Sequence, residues 1–357
     1  MGLSAPEPMT RAASELHREG RRPRPVGAVL SELDRALREG ESRDRRPLPT
    51  GFEVLDRAIA GGLKPGELTL IGGGQGIGKT TLTLQMARNL AEAGARVLYV
   101  CYEHDERYLL NRLLALESWD PEADERNQGV RVREVIARIE RSSAQQGPDA
   151  GLQALTRDNR ALARATGRLT AYADRLLLLR GSGVYTDLAA LAAELVTLRD
   201  EDLRTPCVLF LDYLQKVPVF PEPASETERV TRVVDGLKDL ALSLGLPVVA
   251  IVAADNDGLR APRLRLHHLR GGSAILYEAD IILILNEKHR IVTKQHLTYN
   301  EHEAKSFHAW IVCSIEKNRA GRQLIDLEFQ KHFEYACFDP DGRPVAEMLI
   351  DERIERE

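Results

Sequence analysis

Between Gly73 and Thr80 the chain reads Gly-Gly-Gln-Gly-Ile-Gly-Lys-Thr, and a second threonine follows at Thr81. Few folds can use that order of residues. A run this rich in glycine can adopt positive φ angles and wrap many backbone N–H donors around an anion at close range. In such a cradle Lys79 reaches the β- and γ-phosphates of a nucleotide and Thr80 offers its hydroxyl to Mg²⁺. Gly73, Gly74, Gln75, Gly76, Ile77, Gly78, Lys79, Thr80 and Thr81 are therefore the expected phosphate-binding residues. The flanks agree. Glu67-Leu68-Thr69-Leu70-Ile71 is strand-like, whereas Leu82, Leu84, Met86, Ala87 and Leu90 populate a helix that Gly94 stops. The N-terminus of that helix adds partial positive charge to the cradle. The overlapping Gly74 and Gly76 hint at a dinucleotide fingerprint, but Lys79-Thr80 argues against it.

After Thr50 strand-like and helix-like segments alternate, which is the pattern of a wound, mostly parallel sheet with helices on both faces. The expected strands are Glu67 to Ile71, Arg96 to Tyr102, Cys207 to Leu211, Pro247 to Ala253, Asp280 to Leu285, Ala309 to Ile315 and Leu324 to Phe329. The last three are expected to be antiparallel. Helices are expected near Leu152 to Leu176, near Leu188 to Leu198 after a cap at Thr186, and from Ser225 to Leu244 with Gly245 as its stop.

Ahead of this core, residues 1–25 are rich in Pro, Arg and Glu and form an expected mobile tail. Val26, Val29, Leu30, Leu33 and Leu37 then share one face of a helix over 26–40. Residues 41–49 make a charged, proline-bearing connector, 50–340 the main domain and 341–357 a charged C-terminal tail.

At 357 residues, 43% hydrophobic and 29% charged, the chain can bury a substantial core, and its net charge of −5 gives no global attraction to nucleic acid. Any such contact must come from local basic loops. The four cysteines are far apart and mostly in apolar runs, as reduced core thiols of a cytoplasmic protein would be. No window of about 18 apolar residues predicts a membrane span.

Hydrolysis of a bound triphosphate needs a carboxylate for Mg²⁺ beside Thr80 and a second one to polarise water. The strand Cys207-Val208-Leu209-Phe210-Leu211 delivers Asp212 to its C-terminal edge, where ligands sit in open α/β sheets. Glu103 follows the strand Arg96 to Tyr102 at the same edge. Asp212 is the expected metal-side acid and Glu103 the expected general base.

Several blocks in order then resemble one family. Thr50-Gly51-Phe52, Leu55-Asp56, Gly62-Leu63 and Pro65-Gly66-Glu67-Leu68 ahead of the phosphate loop are similar to the entry of the DnaB-family replicative helicase motor, a RecA-type ATPase. Asp212-Tyr213-Leu214-Gln215 resembles its second motif. Leu269-Arg270-Gly271-Gly272-Ser273 with Glu278-Ala279-Asp280 resembles a later loop-and-strand block, and Lys317-Asn318-Arg319-Ala320-Gly321 with Leu327-Glu328-Phe329 resembles its closing hairpin. The likeness spans about Thr50 to Phe338.

The resemblance implies a RecA-like α/β core using ATP and Mg²⁺. It further implies a ring-shaped homo-oligomer, taken as a hexamer, that moves 5′ to 3′ on single-stranded DNA. Arg319 would be an arginine finger acting on the neighbour's nucleotide with Lys317 as its companion, and the helix over 26–40 would dock on the adjacent copy. Lys216, Arg260, Arg263, Arg265, Arg270, Gly271 and Gly272 are the expected DNA-tracking loop residues. A replication or mobile-element protein is an expected further partner.

Three features depart from the family. Where the family has an N-terminal helical domain, the sequence here reads as an expected tail and one helix. Where the family places a phosphate-sensing glutamine, this chain has Ala253-Ala254-Asp255, with Asp255 or Asn256 as possible substitutes, and Gly271 stands where the family has a glutamate. These departures motivate a second expectation, a RecA-like regulatory or assembly ATPase akin to the KaiC and RadA groups, acting on a protein partner.

Overall fold

In the computed structural model, residues 23–39, 46–123, 128–145, 151–202, 204–293 and 305–350 are described. Most of the expected N-terminal tail and parts of the connector and of the C-terminal tail lie outside them. The frame is a sheet in the order β10-β8-β7-β6-β1-β5-β4-β2-β3, with a short β9 also on β8. Six of these strands run parallel: β1 (Leu68–Gly73), β2 (Arg96–Cys101), β3 (Leu176–Arg180), β4 (Cys207–Asp212), β5 (Val248–Ala253) and β6 (Ile281–Glu287). Every residue of β1 and β4 is buried. Strands covered on both faces read as near-continuous apolar runs, and these two do apart from Thr69 and the terminal Asp212.

The antiparallel part comprises β7 (Trp310–Asn318), β8 (Ile325–His332), β9 (Cys337–Phe338) and β10 (Arg343–Pro344). Here the sequence expectation needs correcting: β6 is parallel to β1, and only its other edge pairs antiparallel, with β7. Residues 343–350, inside the expected tail, pair with the domain. Arg343 and Pro344 lie on β8, Leu349 bridges Val292, and the Ile350 N–H donates to the Ile291 carbonyl.

Helices cover both faces. On one, α2 (Glu53–Ala58), α3 (Lys79–Glu92) and α4 (Glu106–Ser118) pack on a core containing Phe52, Ile71, Tyr99 and Phe210, while α1 (Val26–Glu39) stands apart from the core with its apolar residues exposed. The opposite face carries α8 (Leu188–Glu201) and α9 (Glu226–Leu244) over Leu70, Val100, Leu209 and Val252. Ser225, the expected start of α9, caps it by accepting from the Glu228 N–H at 3.1 Å, and Gly245 ends it in a left-handed conformation, as expected. The cap of α8 is Asp187 rather than Thr186, its carboxylate accepting from the Ala190 N–H.

The long helix expected over Leu152 to Leu176 is interrupted. It divides into α6 (Gly151–Thr156) and α7 (Arg160–Tyr172), and the leucines from Leu176 start β3. With α5 (Val132–Gln145) and the end of α4 these helices close a small separate core around Leu114, Val135 and Leu162. The C-terminal half adds the short α10 (Asn256–Arg260), α11 (Ser273–Glu278) and α12 (Lys288–Ile291). All four cysteines are free and buried. No helix among the described residues is long and apolar enough to cross a membrane.

Candidate active site

The phosphate loop leaves the C-terminal end of β1 and enters α3 at Lys79. Gly78 occupies the N-cap with φ 95°, and no side chain caps the helix, so its first-turn N–H groups face the loop. A Cβ at Gly78 would also lie 2.5 Å from the Phe333 ring. Glycine is thus required here by both backbone conformation and space. The Lys79 ammonium donates to the Gly73 and Gly74 carbonyls at 3.0 and 2.7 Å. Burial pulls its pKa below the ordinary lysine value, against the charges of Asp212 and Glu103. A cation held by two neutral carbonyls in a desolvated place is matched to an incoming anion.

The two carboxylates come from adjacent strands. β2 and β4 are parallel and in register, Cys101 opposite Asp212, so Glu103 emerges two residues past the level of Asp212 at the same edge. Asp212 is 2% exposed, and its Oδ2 accepts from the Thr80 hydroxyl at 2.6 Å. Burial, reinforced by the charge of Glu103, pushes its pKa up to about 6, although the Thr80 hydrogen bond and Lys79 pull the other way. A buried acid and a threonine hydroxyl in contact are a hard-oxygen donor pair that suits Mg²⁺, which needs only one or two protein ligands when phosphates and water supply the rest. Beneath them the Tyr99 and Thr83 hydroxyls are 2.9 Å apart.

Loop and carboxylates line one side of a cleft of about 490 Å³. Lining residues absent from the sequence expectation include His104, Tyr108, Arg112 and Phe333. His104 stacks on Tyr108 with centroids 3.7 Å apart, and the Arg112 guanidinium lies 4.4 Å over the same ring while donating to its hydroxyl. Asp105 caps α4 and fixes this stack against the cleft. Tyr108 and Arg112 are one helical turn apart in the helix that directly follows Glu103, a spacing the sequence did display. Phe333 gave no such signal, because it reaches the loop from the far end of β8.

Lys317 and Arg319 lie at the opposite edge of the sheet. The Arg319 N–H donates to the Asp280 carbonyl at 3.0 Å, just before β6 begins, and its guanidinium is 3.5 Å from the Asp280 carboxylate and bonded to the Tyr277 carbonyl. Lys317 donates to the Leu276 and Tyr277 carbonyls. Arg319 remains half exposed.

The expected DNA-tracking residues divide. Arg263 is 3% exposed and donates to Asp326 at 2.5 Å and to Ser314 at 3.0 Å, and Arg265 pairs with the buried Glu316 at 2.6 Å. Both guanidiniums serve internal carboxylates, which removes them from the set. Lys216, Arg260 and Arg270 are exposed, and Arg270 is 3.2 Å from Glu226. Gln215, the residue before Lys216, donates to the Arg270 carbonyl at 3.0 Å, with Gly271 buried and Gly272 exposed after Arg270. Asp255 accepts from the Gly258 N–H at 2.6 Å as the cap of α10, and Asn256 is that helix's first residue. Asp255 therefore serves as the cap of α10.

A family model described as the DnaB-like helicase C terminal domain matches residues 47–337. The chain belongs to this family. Among curated relatives, the replicative DNA helicase DnaB of Treponema pallidum is 27% identical over 298 residues, covering 82% of this chain and 56% of that protein. The DNA repair protein RadA of Mycobacterium tuberculosis is 50% identical over 58 residues, only 16% of this chain and 12% of its own length. The chain thus spans little more than half of that helicase and a small part of RadA. In fold it is similar to the ATPase domain of G40P, with a TM-score of 0.68, 18% identity and coverage of 89% of this chain and 99% of that one. It is also similar to a DnaB-like replicative helicase studied with primase, at a TM-score of 0.65 and 19% identity, covering 93% and 72%.

Proposed function

We propose that this member of the DnaB-like family is a Mg²⁺-dependent ATPase that assembles into a ring, translocates on single-stranded DNA and unwinds duplex DNA. The observation that carries the proposal is the convergence of the glycine loop, Lys79, the Thr80–Asp212 pair and Glu103 on one cleft. Loop N–H groups and Lys79 would hold the β- and γ-phosphates, the lysine exchanging its loop carbonyls for phosphate oxygens. Thr80 and Asp212 would hold Mg²⁺, which when bound offsets the charge that builds on the transferring phosphoryl oxygens. Glu103 would accept a proton from the attacking water. The stack of His104, Tyr108 and Arg112 offers a planar wall for the nucleoside.

The position of Arg319 across the sheet supports a role in a neighbouring copy's cleft, where a cation would stabilise charge in the transition state. So does α1, whose Val26, Leu30 and Leu37 are 75%, 60% and 61% exposed and await an apolar surface. Lys216, Arg270 and the Gly271-Gly272 backbone are the residues assigned to the DNA phosphates. Arg260 is exposed on the neighbouring α10.

The decisive measurement is ATP turnover with and without single-stranded DNA. Turnover should rise on adding DNA, and Lys79→Ala should lower it by about 100-fold or more, given the ordinary weight of one electrostatic contact to the transferring group. Folded protein that hydrolyses ATP but neither binds DNA nor responds to it would exclude the motor. The alanines in place of a sensing side chain at the end of β5, Ala253 and Ala254, favour, in that event, a regulatory ATPase acting on a protein partner.

A further inference from the structure

One buried side chain joins the nucleotide cleft to the exposed basic loop, and the mechanism above does not use it. Gln215 follows Asp212 by three residues and is 7% exposed. Its Oε1 accepts from the Ala253 N–H at 3.3 Å, and its Nε2 donates to the Arg270 carbonyl at 3.0 Å. The Arg270 N–H in turn donates to the Ala253 carbonyl at 2.9 Å, which closes the circuit. Ala253 and Ala254 line the cleft, whereas the Arg270 side chain is exposed.

We propose that Gln215 is a positioning residue that transmits occupancy of the nucleotide cleft to the loop Arg270–Ser273. The inference rests on the assignment of the cleft as a nucleotide site.

Three features carry it. The carboxamide donates to one segment and accepts from another at the same time, which neither a carboxylate nor an apolar side chain of similar length can do. Both partners are backbone groups, one at the tip of β5 that lines the cleft and one at the head of the Arg270–Ser273 loop, so the Gln215 side chain fixes the two relative to each other alongside the direct Arg270–Ala253 bond. The loop also has little slack. A Cβ at Gly271 would lie 2.2 Å from Val230, the Ala254–Leu269 bridge continues the pairing, and the Asp255 N–H donates to the His268 carbonyl at 2.9 Å. Packed, hydrogen-bonded elements of this kind shift between discrete arrangements rather than deform gradually.

A core amide that merely satisfies two backbone groups would hold the same bonds, so the test reads transmission, not stability. Hydrogen exchange of the Arg270–Ser273 amides is followed in the full chain with and without a slowly hydrolysed ATP analogue and Mg²⁺. The proteins are the wild type, Gln215→Met, which removes both bonds at similar size, and Gln215→Glu, which keeps only the acceptor. Calorimetry of analogue binding runs alongside. In the wild type the analogue should change exchange in the loop by about fivefold or more, the lower end of ordinary coupling between sites. Both variants should bind the analogue with a Kd within about threefold of wild type and show a loop response below about 1.5-fold, since the coupling and not the site is removed.

A loop response in Gln215→Met equal to that of wild type overturns the proposal, as does a wild-type loop that ignores bound analogue. Loss of analogue affinity in both variants overturns it too, because Gln215 would then support the cleft wall itself. If Gln215→Met does not fold, Gln215→Glu decides by the same criteria. Failure of the wild type to take up analogue in calorimetry is a different result: it refutes the nucleotide assignment, and the coupling falls with it.

Discussion

Replacing Asp212 with asparagine should stabilise the nucleotide-free protein while destroying its chemistry. The carboxylate is 2% exposed, and its pKa is displaced from 3.8 to about 6, first by burial and then by the nearby Glu103. Because the folded-state value is raised, the native state binds more protons than the unfolded chain between those two pH values, and stability falls as pH rises through that window. A displacement of about 2 units corresponds to about 3 kcal/mol, fully present above pH 6. Asparagine removes the charge and still accepts from the Thr80 hydroxyl, so Asp212→Asn should recover up to about 3 kcal/mol at pH 7.5. At pH 5 about half of that difference should remain. Equilibrium urea denaturation at the two pH values, without nucleotide, measures it. Adding Mg²⁺ and an ATP analogue at about 100 times Kd should stabilise the wild type by about 2.7 kcal/mol and the variant far less. A variant equal to or less stable than wild type at pH 7.5, or a gain unchanged at pH 5, would refute the claim that Asp212 is held ionised at a cost the cation relieves.

Basic residues that looked alike in sequence should separate in solution. Arg263→Ala leaves Asp326 without its cation and should cost about 3 kcal/mol in denaturation, with DNA affinity little changed. Arg270→Ala should shift stability by under about 0.5 kcal/mol, weaken single-stranded DNA binding and reduce the salt slope by about 0.7, as one lost phosphate contact does; the reverse pattern in anisotropy titrations would reassign both. Arg319→Ala should keep nucleotide affinity but lose about 10³-fold in turnover, and mixing it with Lys79→Ala protein should restore part of the rate. Mixtures as inactive as their components would place Arg319 outside the neighbour's site.

What the sequence disclosed follows from where each signal is stored. The phosphate loop, Asp212 and Glu103 were legible because each is local: a glycine run or a strand end with a carboxylate at a fixed offset. Strand direction is not local. The apolar run of β6 would look the same parallel or antiparallel, and only its partners β1 and β7 decide. The leucines of β3 fit a helix or a buried strand equally by periodicity, and the sheet edge of β2 settles them. Arg263 and Arg265 looked like a solvated basic loop because the carboxylates that bury them, Asp326 and Glu316, arrive from β8 and β7. Tyr108 and Arg112 could have been found by extending the Glu103 motif through one more helical turn, whereas Phe333 could not.

The separation between the two sets of charged groups limits what one copy can do alone. Thr69 of β1 lies opposite Ile281 and Gly73 opposite Leu285, so the level of the Arg319 backbone, bonded to Asp280, is four or more residues from the loop. At about 3.3 Å per residue that is at least about 13 Å along the strand, with the sheet itself between. Rotation of the Arg319 side chain therefore does not bring it to its own cleft, where Lys79 is the cation already in place. If Arg319 acts in hydrolysis, it acts on another copy, and the Tyr277 carbonyl and Asp280 that now hold it must give way to a stronger anion. A phosphate group is such an anion, and it lies within reach only where the N-terminal edge of one sheet faces the C-terminal edge of the next. The exposed apolar stripe of α1 would be covered by the same head-to-tail packing. Turnover per copy should accordingly follow assembly rather than nucleotide occupancy.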